Sequence, residues 1–440
     1  MRALRRWLDD TAGGLPATFW YLWAGLLINR AGAFAMLFLS LYLTEARGAS
    51  EALAGTVVGA YGLGGAAGVL LGGVLADRWG RRSTLIAAHV ATAGLMVGLA
   101  FSRQLVLIAA LAALVGVAHS MPSPAFVAAI VDVVPERRRS RAFNLQFWAF
   151  NLGMAVASVL AGLLAEANFV ALFLVDAAAT LTAAAVIAWK VPETLPRRAP
   201  KALDPHAAHQ RAAEPAAGRR QRRVGRRQPG LHTALTDRTF LTFVGLTFVL
   251  AVLTMQTSTI MPLAMRSDGL RPSAYGAVVA LGGVLIVLGQ LFVPRLIERH
   301  RKDRVLAVST ALLALGFASL AYADDVAVYL AAAVVWTIGQ MLAAPPNAQI
   351  NADLAPLELR ARYQSVFYLA FPAASFVAPT LGGLSLQYLG DRHWLIVGGL
   401  GLLAAGCHLL AGPPRERRVA ALRQLSAPTP PSTPTVVSVR

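Results

Sequence analysis

Gly73-Val74-Leu75-Ala76-Asp77-Arg78-Trp79-Gly80-Arg81-Arg82 closes one long apolar run, 52–76, and leads into the next, 83–101. Each run is long enough as a helix to cross the roughly 30 Å of a bilayer's hydrocarbon core. The turn between them is only a few residues long, so the two helices run antiparallel. It carries one carboxylate and three arginines, with glycines at 73 and 80. A turn of this kind belongs at a membrane surface.

Further apolar runs appear at 17–43, 104–131, 143–165 and 168–189. After a polar interval they resume at 239–263, 273–297, 304–323, 326–352, 364–389 and 393–412. With the first pair these make twelve spans, six on each side of the interval. Composition agrees: 56% of 440 residues is about 246 apolar residues, and twelve helices of ~20 residues need roughly 240. A charged fraction of 14% is too small for an ordinary soluble chain. The fold class expected is therefore an all-α polytopic membrane protein, and the first run reads as a retained helix.

The net charge of +18 invites a nucleic-acid reading, which the placement of the charges excludes. With the N-terminus inside, the short inner loops hold fourteen Lys and Arg, residues 190–238 twelve, the tail five and the N-terminus three, against five in the outer loops. That is the asymmetry of a membrane protein with both termini cytoplasmic. One residue fits neither side. Arg30 lies in the middle of the first span.

The halves repeat at an offset of 221 residues. Asp132, Pro135, Arg139 and Arg141 fall on Asp353, Pro356, Arg360 and Arg362; Pro124 falls on Pro345 and Gly162 on Gly383. Duplication of a six-helix unit is implied, and transporters built from repeats bind solute near the midplane between them. The expected organisation is a six-helix half at 1–190, a basic flexible cytoplasmic linker at 191–237, a second half at 238–412 and a disordered tail at 413–440. The linker's GRRQRRVGRR run, 218–227, suits either a solvated linker or contact with anionic lipid headgroups.

The turn at 73–82 matches G-x-L-A-D-R-x-G-R-[KR], and with the six-plus-six plan and the P-x-x-x-R-x-R loops the chain resembles the major facilitator superfamily. Asn29-Arg30-Ala31-Gly32 is similar to an N-R-x-G signature of bacterial efflux-type, drug:proton antiporter-like members. The resemblance implies two pseudo-symmetric six-helix bundles, alternating access in the cell membrane, a small-molecule substrate, no cofactor and a monomer. It also implies that Gly73, Asp77, Arg78, Gly80, Arg81 and Arg82 form a conformational latch, with Asp77 meeting the N-terminus of the eleventh helix near Arg362–Gln364. The alternative is that Asp77 only ends its helix. Asp132, Arg139, Arg141, Asp353, Arg360 and Arg362 make up the inner-gate loops.

Substrate binding or proton coupling is expected of Asn29, Arg30, His119, Asp176, Gln256, Gln340 and Asn347. An ionisable group at membrane depth is costly, and Asp176 in the sixth span is the counter-charge expected for Arg30. Arg30 either holds an anionic group, couples to a proton site, or forms a structural pair with Asp176. His119 is either a proton carrier or a packing residue. Some antiporter features are missing: the fourth span, LAALVGVAHS, has no Arg, the fifth has no Pro at 153–158, and Gln340 stands where related exporters carry Glu. No Walker loop, nucleophile elbow or HExxH motif is present. Cys407, the single cysteine, rules out an internal disulfide. The chain is thus read as an exporter of a small amphipathic molecule or drug, with proton exchange as the coupling to test; the alternative is uptake or facilitated diffusion of a small metabolite, and the remote one a membrane sensor or enzyme that moves nothing.

Overall fold

The computed structural model describes residues 13–195, 232–289, 292–297, 299–356 and 359–426. Most of the linker and the last fourteen residues lie outside these. Among the described residues, eleven helices are long and apolar enough to cross a membrane. They are α2 (Glu51–Trp79), α3 (Arg81–Phe101), α4 (Leu105–Val133), α5 (Arg141–Ala167), α6 (Phe169–Lys190), α7 (Arg238–Thr259), α8 (Pro272–Gly289), α9 (Lys302–Tyr322), α10 (Val326–Leu354), α11 (Arg362–Leu389) and α12 (Arg392–Leu410). α1 (Ala17–Ala31) is shorter. It stops at Gly32, and the chain becomes helical again only at Leu39–Leu41 and the π-helical turn Tyr42–Ala46.

The expected first span of 17–43 is therefore made in two pieces. The break is held by α6. A side chain at Gly32 would collide with Ala179, and the carboxylate of Asp176 accepts the Ala35 N–H at 3.2 Å, replacing a bond the helix has lost. Within a bilayer such a break survives only where protein satisfies the freed backbone.

The tail also departs from expectation. α13 (Gly412–Ser426) is a helix, tied down where Arg418 meets Asp237 at 3.2 Å and where the buried Arg415 donates to the His408 carbonyl. The linker's end, His232–Thr236, is a short helix too, and Asp237 caps α7 by accepting the Phe240 N–H at 3.1 Å.

The two halves meet most closely at the end of the bundle that carries residues 45–55, here the far end; the opposite one is the Arg-rich end. α2 packs on α11 and α8 on α5. A Cβ on Gly55 would strike the Pro379 carbonyl, and one on Gly276 the Ser158 carbonyl; Gly383 and Gly162 complete the two crossings. These pairs are the same contact seen twice, since 55 and 276, 158 and 379, and 162 and 383 are each 221 apart. The hydrogen bonds follow suit: Ala52 N–H donates to Gln387 at 3.1 Å, and Ser273 N–H donates to Glu166 at 3.2 Å. Glu45 and Arg266, themselves repeat equivalents, pair with each other at 3.2 Å, as residues beside the axis relating the halves must.

Leu at Gly55 or at Gly276 puts four carbons where a neighbouring backbone lies, so each is expected to part the halves at the far end. Spin labels on the far ends of α2 and α11 should separate by several ångströms in both variants. Unchanged distances in both would show that these crossings do not hold the end shut.

Candidate functional site

Two cavities occupy repeat-related places. The first, about 130 Å³, is lined by residues of α1, α3, α4, α5 and α6, including Asn29, Arg30, His89, His119, Gln146 and Phe150. The second, about 390 Å³, is lined by α7, α10 and α11, including Thr247, Gln340, Asn347, Asn351, Phe367 and Phe371. Under the 221 offset His119 falls on Gln340, Phe126 on Asn347, Gln146 on Phe367 and Phe150 on Phe371. They are one site in duplicate, lined differently in each half.

In the first cavity the Arg30 guanidinium lies over the Phe150 ring, 4.7 Å from its centroid, and its Nε is enclosed with no hydrogen-bond partner. No ion pair joins it to Asp176 among the described residues. Asp176 is buried and already engaged, by Ala35 N–H and by the Thr180 hydroxyl at 3.4 Å. Asn29 in turn donates to Thr180 at 3.1 Å. Asp176 is thus the anchor of the α1 break, and the expected pairing with Arg30 gives way to that role. His119 Nδ1 shares a hydrogen bond of 2.7 Å with the Tyr61 hydroxyl of α2. Tyr61, Phe150 and Gln146 were not legible as site residues, because none stands out from its apolar surroundings.

In the second cavity Asn347 accepts from the Thr247 hydroxyl at 3.0 Å. Its wall is aromatic: Phe367, Tyr368 and Phe371 have ring centroids 5.5 to 6.3 Å apart, and Tyr368 is exposed. Gln256, expected to face the same space, is buried instead beside α11, where a Cβ on Gly382 would touch its Oε1.

The turn at 73–82 lies at the Arg-rich end. Arg81 bridges Asp77 at 2.9 Å and Asp132 at 3.2 Å, and it donates to the Ala76 carbonyl at the end of α2. Arg82 donates to Ala188 near the end of α6, and Arg139 to Val131 and Val134 at the end of α4. Each arginine thus satisfies free carbonyls at a helix C-terminus, where the dipole also favours a cation. Arg141 donates to Gly13 at 2.9 Å. The second half has a matching bond, Lys302 to Asp353 at 2.7 Å, at the positions 221 beyond Arg81 and Asp132. The Arg360 side chain lies outside the described residues.

The Asp77 side chain is 77% exposed, and its described partner is Arg81 alone, not the start of α11. At this turn the carboxylate that occupies a helix N-terminus is Glu193, accepting the Arg81 N–H at 2.8 Å and the Leu195 N–H at 3.0 Å. Partial burial works to raise its pKa, but these backbone donors, with those of Ser83 and Thr194, outweigh it and hold the carboxyl below its usual range. Gly80, at φ 105°, makes the turn, and a Cβ there would strike Glu193.

Against known proteins, the chain matches the Major Facilitator Superfamily over residues 22–266 and 242–438. It is 27% identical over 384 residues to the MFS-type transporter YttB of Bacillus subtilis, covering 86% of this chain and 90% of that one. It is 23% identical over 393 residues to a Na(+), Li(+), K(+)/H(+) antiporter of Planococcus maritimus, covering 84% and 90%. With a gallate transporter of Pseudomonas putida it shares 26% over 294 residues, 64% and 66% of the two chains. Among solved structures, the peptide transporter POT superposes with a TM-score of 0.74 at 17% identity, over 93% of this chain and 99% of that one, a likeness of fold. With the repeat and the twelve-segment bundle, the match over nearly the whole length places this chain in the Major Facilitator Superfamily, as a multi-pass membrane transporter.

Proposed function

We propose that the chain exports a small amphipathic solute across the cell membrane in exchange for protons, as a monomer whose termini and Arg-rich end are cytoplasmic. One observation carries this reading: the halves are sealed at the far end by duplicated crossings, while two polar cavities remain in the bundle. That is the arrangement of a carrier loading from the Arg-rich side. Export is supported by the resemblance at residues 29–32 and by the antiporter relative. The gallate transporter relative favours a second reading, uptake of an aromatic acid. Direction decides between them. Export predicts lower solute accumulation in expressing cells, restored when the proton gradient is collapsed; higher accumulation would establish uptake.

Asp176 is the proton site that the geometry supports best. Protonation weakens its hold on Ala35 N–H and so loosens the break between Ala31 and Leu39. Asp176→Asn keeps an oxygen to accept that N–H while removing the charge. It should leave solute binding intact and abolish the response to a pH gradient; undiminished proton-driven transport in this variant would remove Asp176 from the coupling.

The latch reading makes Asp77 a partner of α11 only when the Arg-rich end closes. Because its side chain is exposed here, Asp77→Asn should change the melting temperature by no more than about 2 °C, yet cut transport severely at normal membrane abundance. Normal transport would leave Asp77 as a helix end and nothing more.

A further inference from the structure

Resting on the transport reading above, we infer that the solute is an amphipathic anion, its acidic group taken by Arg30 and its apolar body by the aromatic wall of α11. The charge around the two cavities decides the sign. The residues lining the first include Arg30, two histidines, Asn29 and Gln146, with no carboxylate among them. The second is lined by neutral amides, Thr, Ala, Leu and aromatics, again with no charged side chain. A cation entering this space meets no counter-charge and one full positive charge. An anion meets a guanidinium that lacks a partner.

The guanidinium is ready for it. Its Cζ lies over the Phe150 ring at 4.7 Å, a contact that uses none of its N–H donors and leaves them for a planar acceptor, a fit that favours carboxylate-type groups. The carboxylate that sequence offers it, Asp176, is occupied by Ala35 and Thr180. Without a ligand, the guanidinium has the Phe150 ring and only the longer-range field of Asp176, with no direct ion pair among the described residues, at a depth where such a charge is expensive. The seal at the far end leaves the cost in place until something enters from the Arg-rich side.

The repeat supplies the other end of the solute. The position 221 beyond Arg30 is Ala251, and the one beyond Gln146 is Phe367. Both positions line the second cavity. A charge in one half therefore corresponds to small and aromatic groups in the other. Phe371, beside Phe367 and Tyr368, offers a ring face to a flat apolar body. A solute with an acidic head and an aromatic or flat apolar body satisfies both halves at once, and a carrier needs its two halves bridged by the solute it moves.

The test uses purified full-length protein in nanodiscs and three probes of one shape: 4-hydroxybenzoate, 4-hydroxybenzamide and 4-hydroxybenzylamine. Binding is read from tryptophan fluorescence. The benzoate should bind about tenfold tighter than the amide, the worth of a charge-assisted hydrogen bond, and the benzylamine more weakly than either. Arg30→Gln should bring benzoate down to the level of the amide, with Arg30→Lys recovering part of the difference. Phe371→Ala should weaken benzoate and amide by the same factor. Equal binding of benzoate and amide by the unaltered protein, or a preference for the amine, overturns the anionic assignment whether or not the variants fold. Flux in proteoliposomes separates that failure from failure of the transport reading: a cationic or neutral toxic compound that is moved by the unaltered protein sinks only the anion, whereas no flux of any probe or toxic compound sinks transport itself.

Discussion

The architecture depends on four helices passing so close at the far end that backbone touches backbone. Helix association in lipid has little hydrophobic drive, so packing and weak polar contacts must supply the energy. Gly55 against Pro379 and Gly276 against Ser158 provide the approach, and Gln387 and Glu166 each take a backbone N–H from the neighbouring helix start. Such a joint is firm yet separable. One aromatic pair locks across it, Phe38 edge-on to Tyr275 with ring centroids 5.1 Å apart, and the ion pair Glu45–Arg266 is solvent-reachable and worth ~1 kcal/mol or less. A carrier that must part at this end in every cycle needs contacts of this strength.

The arginines at the other end do two jobs with one residue type. Their number on that side marks topology. Their positions serve local chemistry, because in the first half α2, α4 and α6 all end there and leave carbonyls to be satisfied. Arg81, Arg139 and Arg82 each take one of these ends. Arg81 also ties Asp77 to Asp132, so the turn at 73–82 and the loop after α4 are one charged unit rather than two separate motifs. Lys302 and Asp353 repeat the link in the second half.

Much of this was legible in advance. Apolar runs and charge asymmetry foretold the bundle, and the 221 offset foretold which positions correspond. What the offset leaves open is which positions touch, since an axis between the halves brings Gly55 to Gly383 and not to its own equivalent, Gly276. The glycines at 55 and 276 share the offset and were a readable sign of a duplicated crossing. The break after Ala31 was hidden because Gly32 to Phe38 is as apolar as a helix, and only the Asp176–Ala35 bond reveals it. Arg30 stood out by its depth, but its neighbours did not: Phe150 and Tyr61 look like any other aromatic in a membrane span.

Comparing the halves position by position separates mechanics from chemistry. At the two glycine crossings, equivalents are the same residue or make the same bond: Gly55 and Gly276, Gly162 and Gly383, Gln387 and Glu166. In the cavities they diverge, with Arg30 against Ala251, Phe126 against Asn347 and Gln146 against Phe367. Rocking two bundles about an axis requires matched joints, because unequal ones would favour one half's movement over the other's. Recognising a solute requires the opposite, since a perfectly duplicated lining would present two like surfaces and could orient only a symmetrical molecule. The retained symmetry therefore lies where the halves move, and the lost symmetry where they grip.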